Sequence, residues 1–567
     1  MKKLFALLLA VVMVLGLVAC AQPEQPTTPP TTTQKPADNT TSGGDDTTAG
    51  QDSYFPLKEE TTLKIAIDVT NQSRGLDEIA KGLETNVLWN ELLEKTNVKV
   101  ELIGWTTETV TAMFANDEMG DIVLCGGSGK DTMFSGFANE GVITALNEYI
   151  DNPEITPNMA ATIWKELPEA RGTFANPDGN VYLMGEFTMD KKVEVEGYLW
   201  VYKPWLDAAG MGVPTTLEEY EDFMEYVVTH DLNGNGKDDE VGVYFAQGAN
   251  NGIESWLGLY GLPTKDGTYE NYVTLKDGTD DAMFIPQMEE WKDFLKLIAG
   301  WYEKGYIHEG IFTDTMSNYG YTWMPSKTKE VIVASMYDPN PASRYYDGKN
   351  YVVMNPIQLS DAPVRWYIHP AYMGSKCSWC VPAASENAEL AVRFMDLFYD
   401  GDVTIRATYG EEDSPFRTVL SDGTFFANVL DANLLDAVYF TEDSALKAQF
   451  LNLPKAWTYD ALAKKQVNDA EEQMTNAFKV YENVINKTVW PRPYIPAEDQ
   501  DRLTELRTDI FNLVNEKRAD WITGAADIDA EWEQFQEDLL DCGIEEFMEI
   551  MQNAYDVWYE SYSQAAG

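Results

Sequence analysis

Apolar and polar residues alternate with a period of two along "TTLKIAIDV" (Thr61 to Val69) and again along "VKVELIGW" (Val98 to Trp105), which predicts two strands. Between them, "ETNVLWNELLEKTN" places its apolar residues three and four apart, as a helix does. "GDIVLCGG", Gly120 to Gly127, reads as a third, buried strand that ends in a Gly-rich loop. Strands alternating with helices predict an α/β layer with a parallel or mixed sheet. Ligands of such sheets bind beyond the carboxyl ends of the strands, so the loop after Val123 is a candidate contact. Near the end of the chain Leu503, Leu506, Ile510 and Leu513 mark one face of an amphipathic helix. Asp529 to Tyr562 predicts two more helices, broken near Gly543.

The first 55 residues follow a different pattern. Lys2 and Lys3 precede an apolar run, Leu4 to Val18, that is too short to span a bilayer comfortably. The run ends in "LVAC", small residues before Cys20, which is the pattern of a bacterial lipoprotein signal. Residues 1–19 are then a signal peptide, and a diacylated Cys20 tethers the mature chain to the outer face of a membrane. Residues 20–55, rich in Pro, Thr, Gly and Asp, hold too little apolar area for a core and predict a disordered linker. The remaining length, in a chain of 567 residues, exceeds what one hydrophobic core supports.

Charge narrows the partners. The chain carries 41 basic and 93 acidic residues, a net charge of -52, so a phosphate backbone is repelled and nucleic acid is excluded as a partner. "GGSGK", Gly126 to Lys130, fails as a phosphate loop because Leu124 and Asp131 stand where glycine and Ser or Thr are needed. The three histidines, His230, His308 and His369, form no HExxH, and no serine lies in GxSxG. Glu411, Glu412 and Asp413 sit side by side, whereas glycoside hydrolysis needs two opposed carboxylates. Cys377 and Cys380 form a CxxC, open to a disulfide or a reduced pair, and only Cys125 and Cys542 remain to complete a zinc set.

"DLNGNGKDDE" carries the clearest site chemistry. Counted from Asp231, oxygen side chains fall at positions one, three, five and nine: Asp231, Asn233, Asn235 and Asp239. Gly236 occupies position six, where the turn needs positive φ, and Lys237 at seven offers a backbone carbonyl. These hard oxygen donors suit Ca²⁺. Gly242 replaces the bidentate Glu that closes an EF-hand loop.

"LWVYKPWLDAAGMGVPTTLEEYEDFMEYV" (Leu199 to Val227), "CVPAASENAELAVRFMDLFYD" (Cys380 to Asp400) and "EWEQFQEDLLDCGIEEFMEIMQNAYD" together resemble the solute-binding lipoproteins of bacterial ABC importers. The resemblance is to the carbohydrate type, the large subgroup of maltose-type and alginate-oligosaccharide binders, and it runs from about residue 60 onward. It implies a two-lobed periplasmic-binding-protein-like fold (type II) with a hinge and a helical tail. The first lobe would hold about 57–185 and 366–409, and the second about 193–365 and much of 410–567. It also implies that Glu240, at position ten, closes a structural calcium site. The implied function is non-catalytic: a monomer, lipid-anchored at the extracellular face, that captures a carbohydrate and hands it to a permease. Sugar faces stack on aromatic rings, so Trp105, Trp256, Trp323, Trp366, Tyr372, Trp379 and Tyr409, with Glu411, are the candidate ligand residues. A peptide ligand and a secreted glycoside-active enzyme remain the alternatives.

Overall fold

The computed structural model describes residues 54–566 apart from 71–74, 127–129, 168–169, 188–194, 196, 246–251, 265–271, 309–310, 313–329, 346, 369–374, 414–416, 420–424, 428–468, 487, 489 and 492. Two sheets organise it. The first contains β1 (Thr61–Asp68), β2 (Val98–Trp105), β3 (Ile122–Leu124), β4 (Met184–Glu186) and a late strand, Ser375–Cys380, in the order β2-β1-β3-late strand-β4. The alternation read from the sequence is the pleat: β1 and β2 run parallel from Thr61 opposite Val98 to Asp68 opposite Trp105. Leu63, Ile65 and Ile67 enter a core on one face, while Ala66 enters a second core on the other. A sheet covered on both faces reads as nearly continuous apolar sequence, which is why "IVL" of β3 has no polar position.

The second sheet contains β5 (Tyr198–Tyr202), β6 (Val241–Tyr244) and, beyond a hairpin of β7 (Val273–Leu275) and β8 (Ala282–Phe284), β9 (Val333–Asp338) and β10 (Tyr351–Val353). Its order is β10-β5-β9-β6, with β6 and β9 parallel. The late strand of the first sheet is β11 in chain order, antiparallel to both β3 and β4. The fold is therefore mixed α/β in two lobes, as the sequence pattern predicts.

The helices obey local rules. Asn86 accepts a hydrogen bond from the Trp89 N–H at 2.9 Å and caps the helix Val87–Thr96. Thr216 caps the helix Leu217–Val228, and Glu219 reaches back to the Thr215 N–H at 2.8 Å. The tail folds as Ala497–Thr523, Ile528–Asp541 and Ile544–Ala566, and the break at Gly543 has φ of +86°. These helices pack into the core of the second sheet, where Trp521, Trp532 and Phe535 surround Trp291.

Two buried charges fix long-range geometry. Arg518, on the first tail helix, pairs with Glu254, and Tyr272 donates to the same Glu254 oxygen at 2.7 Å. Burial opposes the charge on Arg518, but the Glu254 carboxylate outweighs it and holds the guanidinium above its ordinary pKa. Asp396, 1% exposed, accepts from the backbone N–H groups of Asn158 (3.0 Å) and Met159 (2.9 Å) and so caps the helix Pro157–Ala161 from a distant helix. Burial pushes its carboxyl up to about 6 from an ordinary 3.8, against those hydrogen bonds.

Arg518→Leu strands a buried carboxylate and is expected to lower unfolding free energy in urea by about 3–5 kcal/mol, with Glu254→Leu in the same chain recovering most of it. A loss under about 1 kcal/mol in the single variant means the pair does not carry the docking of the tail. The raised carboxyl of Asp396 makes the folded state bind a proton that the unfolded chain releases, between pH of about 6 and 3.8. Wild-type stability should therefore rise relative to Asp396→Asn as pH falls through that window, by about 3 kcal/mol in full. Parallel stability curves for the two proteins contradict the assignment.

Candidate functional site

Strands β1, β2 and β3 run parallel, so Asp68, Trp105 and Cys125 arrive at one edge of the first sheet. Here Asp68 pairs with Lys130, and Asp68 Oδ1 accepts from the Thr70 hydroxyl at 2.6 Å. The Thr70 hydroxyl oxygen accepts in turn from the Thr107 N–H at 3.0 Å. Lys130 Nζ stands 4.5 Å from the centre of the Trp105 ring. Gly126 has φ of +81°, and a Cβ there would lie 2.6 Å from Asp68 Oδ2, so the backbone passes this close to the carboxylate only because this position is glycine. Lys130 and Asp68 keep 20% and 15% of their side-chain surface, enough to meet a ligand, and burial holds the Lys130 ammonium below its ordinary pKa. The edge is thus a set of fixed donors and acceptors of both signs, suited to hydroxyl groups.

Of the aromatic candidates, only Trp105 is brought to this edge. Trp105, Trp256, Trp366 and Trp379 are at most 2% exposed and present no ring face to solvent. Trp105 packs edge-on against Phe134 at 5.6 Å, and Trp256 packs against Tyr220 and Trp301, both at 5.3 Å. Trp366 lies 4.7 Å from Tyr481 and donates to the Gly197 carbonyl, while Trp379 donates to the Tyr399 hydroxyl. In this structure all four serve packing, a correction to their reading as stacking platforms. The reason is that a Trp at a strand end reads alike whether it turns to the core or to the cleft. Trp366 also joins the core of the second sheet and a bridge to Ile485. Trp323, Tyr372 and the side chain of Tyr409 lie outside the described residues, as does Cys20. Glu411 is held by Arg406, which also binds Glu91, so its charge is already matched. Asp68 and Thr70 were not legible as site residues, although an acid closing an apolar strand is the signal that marks them.

The loop Asp231 to Glu240 lies between the helix Leu217–Val228 and β6. Asp231 accepts from the N–H groups of Gly234 (2.8 Å), Asn235 (3.1 Å) and Gly236 (2.9 Å), and both glycines have positive φ, +74° and +76°. The amides of Asn233 and Asn235 converge on Asp239 at 3.1–3.2 Å. Glu240 ties the loop start by accepting from Leu232 and Asn233. A half-turn of either amide presents oxygen in place of nitrogen, so the set fits a hard cation. Among the described residues no three His, Cys, Asp or Glu are arranged to hold a metal, and this loop would depend on its Asn oxygens and the Lys237 carbonyl as well as its acids.

A cavity of about 400 Å³, lined in part by Ile150, Trp164, Lys165 and Arg171, shares no residue with the sheet edge or the loop. Among the described residues no helix is long and apolar enough to cross a membrane.

The fold is that of an extracellular solute-binding protein. No protein-family model matches the chain. It is 22% identical over 514 residues, 88% of this chain and 91% of the relative, to the fructooligosaccharide ABC transporter substrate-binding protein FusA of Streptococcus pneumoniae. It is also 22% identical over 57% of its length to 62% of the lipoprotein LipO of Bacillus subtilis. Among solved structures it resembles an extracellular solute-binding protein of Bifidobacterium longum subsp. infantis (TM-score 0.72, 18% identity, 88% of this chain and 98% of that one). It also resembles an EF-hand mutant of S. pneumoniae FusA in complex with fructo-nystose (0.65, 19%, 88% and 99%) and the alginate-binding protein AlgQ2 without calcium ion (0.60, 16%, 88% and 98%). Of these, FusA is a fructooligosaccharide-binding protein of an ABC transporter, AlgQ2 an alginate-binding protein and the B. longum protein a solute-binding protein.

Proposed function

We propose that this chain is the substrate-binding lipoprotein of an ABC transporter, which closes on an extracellular oligosaccharide and delivers it to a membrane permease. The observation that carries the reading is end-to-end similarity to the substrate-binding protein FusA, joined to a two-sheet fold whose first sheet ends in the Asp68, Thr70 and Lys130 cluster. Ligand touches both lobes, so its binding energy differs between open and closed forms and shifts the hinge toward closure. The lobes comprise about 57–185 with the segment from β11 to about 409, and about 193–365 with Trp366 and much of 410–567. Asp68 and Lys130 take sugar hydroxyls, and Trp323, Tyr372 and Tyr409 are the remaining stacking candidates. The chain performs no chemistry on its ligand. Cys20 carries the lipid, residues 20–55 give reach, and the body acts as a monomer outside the cell.

Asp231, Asn233, Asn235, Asp239 and Glu240, with the Lys237 carbonyl, hold a structural Ca²⁺ that braces the entry to β6. An EF-hand mutant of FusA and a calcium-free form of AlgQ2 among the similar structures support this reading.

Calorimetry of the mature protein against fructooligosaccharides, alginate oligosaccharides, N-glycans and a peptide mixture is expected to give binding to one glycan class without turnover. Asp68→Asn should weaken that binding by roughly ten- to a hundredfold, the worth of one hydrogen bond to a charged group. Binding only to peptides, or release of shortened sugars, defeats the proposal. Asp231→Ala should lower the melting temperature more in calcium than without it, where only the three backbone hydrogen bonds to its carboxylate are lost. The calcium gained by wild type amounts to about 2.7 kcal/mol at a hundred times the dissociation constant. Loss of glycan binding on chelation, in protein that stays folded, places the metal at the ligand instead.

A further inference from the structure

Three of the cysteines meet in one core. β11 pairs with β3 so that Cys380 lies opposite Val123, and the Cys125 N–H donates to the Ser378 carbonyl at 2.8 Å. The pleat sends Val123, Cys125 and Cys380 to one face, and Leu124 and Trp379 to the other. Strict alternation would send Cys377 with Trp379. Instead, β11 has three residues between Ser375 and Trp379 where β4 has one between Glu186 and Met184, and this bulge returns Cys377 to the face of Cys125. The Cys125 thiol donates to the Val123 carbonyl at 3.8 Å, shares its core with the Cys377 and Cys380 thiols, and all three are fully buried.

The CxxC spacing suggests a bridge between Cys377 and Cys380, but three residues of extended strand span about 10 Å. A disulfide needs Cα atoms roughly 4.4–6.8 Å apart. Cys125 stands across the ladder from Ser378, between the two, and shares their core.

We propose that Cys125 is the obligate member of a single cross-strand disulfide, formed with either Cys377 or Cys380, the third thiol serving to exchange one bridge for the other. The oxidant is a small-molecule disulfide. When the sheet edge opens locally, the Cys125 thiolate attacks one sulfur of glutathione disulfide, breaking its S–S bond and releasing one glutathione thiol. The thiolate of Cys377 or Cys380 then attacks Cys125 Sγ in the mixed disulfide and expels the second glutathione. Two protein thiols are oxidised, one glutathione disulfide is reduced, and the two thiol protons end on the two glutathiones. Burial raises the Cys125 and Cys377 thiols above their ordinary pKa, so the reaction is slow at neutral pH and quickens as pH rises. The bridge would pin β11 to β3 directly beside Gly126 and Lys130, which border the proposed ligand edge.

The test treats the native mature chain with glutathione disulfide at mildly alkaline pH, quenches with acid, unfolds, alkylates free thiols and maps peptides. The expected map shows one bridge per molecule, always containing Cys125, with one of Cys377 and Cys380 alkylated. Half-buried Cys542 is the internal control for oxidation and takes a single glutathione. Cys125→Ser should form no bridge, while Cys377→Ser and Cys380→Ser should each still form one. If Cys125→Ser fails to fold, the wild-type map decides alone. A Cys377–Cys380 bridge overturns the proposal, as does the recovery of all three as thiols or mixed disulfides once Cys542 is fully oxidised.

Discussion

The second lobe is organised around a carboxylate that apolar surroundings do not tolerate unpaired. Glu254 is fully buried within Ile253–Tyr260, a segment buried at every position. A lone ion there would cost several kcal/mol, so the segment can pack only when Arg518 arrives from the tail. The tail is therefore part of the lobe rather than an appendage to it. Once docked, its first helix sets the line for the two that follow, and the last of these reaches the first lobe. There Gly172 meets the backbone of Tyr562 so closely that a Cβ would lie 2.5 Å from its Cα. One ion pair thus governs both the closing of a core and the place where the chain ends.

Sheet polarity separates shape from recognition. The loop at Asp231 enters β6 at its amino end, whereas Tyr244 of β6 and Asp338 of β9 mark the carboxyl ends of that parallel pair. In open α/β sheets ligands gather beyond carboxyl ends. A cation held at the amino end therefore stiffens the entry to the strand without touching what binds at the far edge. The same rule applied to the first sheet selects Asp68 and Lys130, and there the geometry supplies matched charges and hydroxyls.

Much of this was legible in the sequence because it depends on short-range periodicity. The strands at Thr61 and Val98, the buried strand after Gly120 and the helix break at Gly543 all follow from local patterns. The spacing of oxygen side chains from Asp231 to Glu240 is equally local. What sequence could not supply is register. Nothing in "CSWC" reveals that a bulge turns Cys377 toward Cys125, and nothing around Trp256 reveals that Tyr220 and Trp301 enclose it. Each depends on a partner that only the fold brings near. The aromatic candidates suffered most, because in a chain with 16 Trp the demand for core volume competes with any binding role.

Charge adds a constraint on the ligand that neither fold nor motif provides. A chain with net charge of -52 surrounds itself with a negative potential, and an anionic sugar approaching it is slowed and weakened at low salt. At the proposed edge, however, Asp68 and Lys130 cancel locally, so a neutral glycan meets strong hydrogen-bonding groups without a net field to oppose it. Between uronate chains and neutral oligosaccharides, the electrostatics favour the neutral class. The preference arises from the contrast between an acidic surface and a balanced site, and so it fades as salt screens the surface while the site's own hydrogen bonds persist.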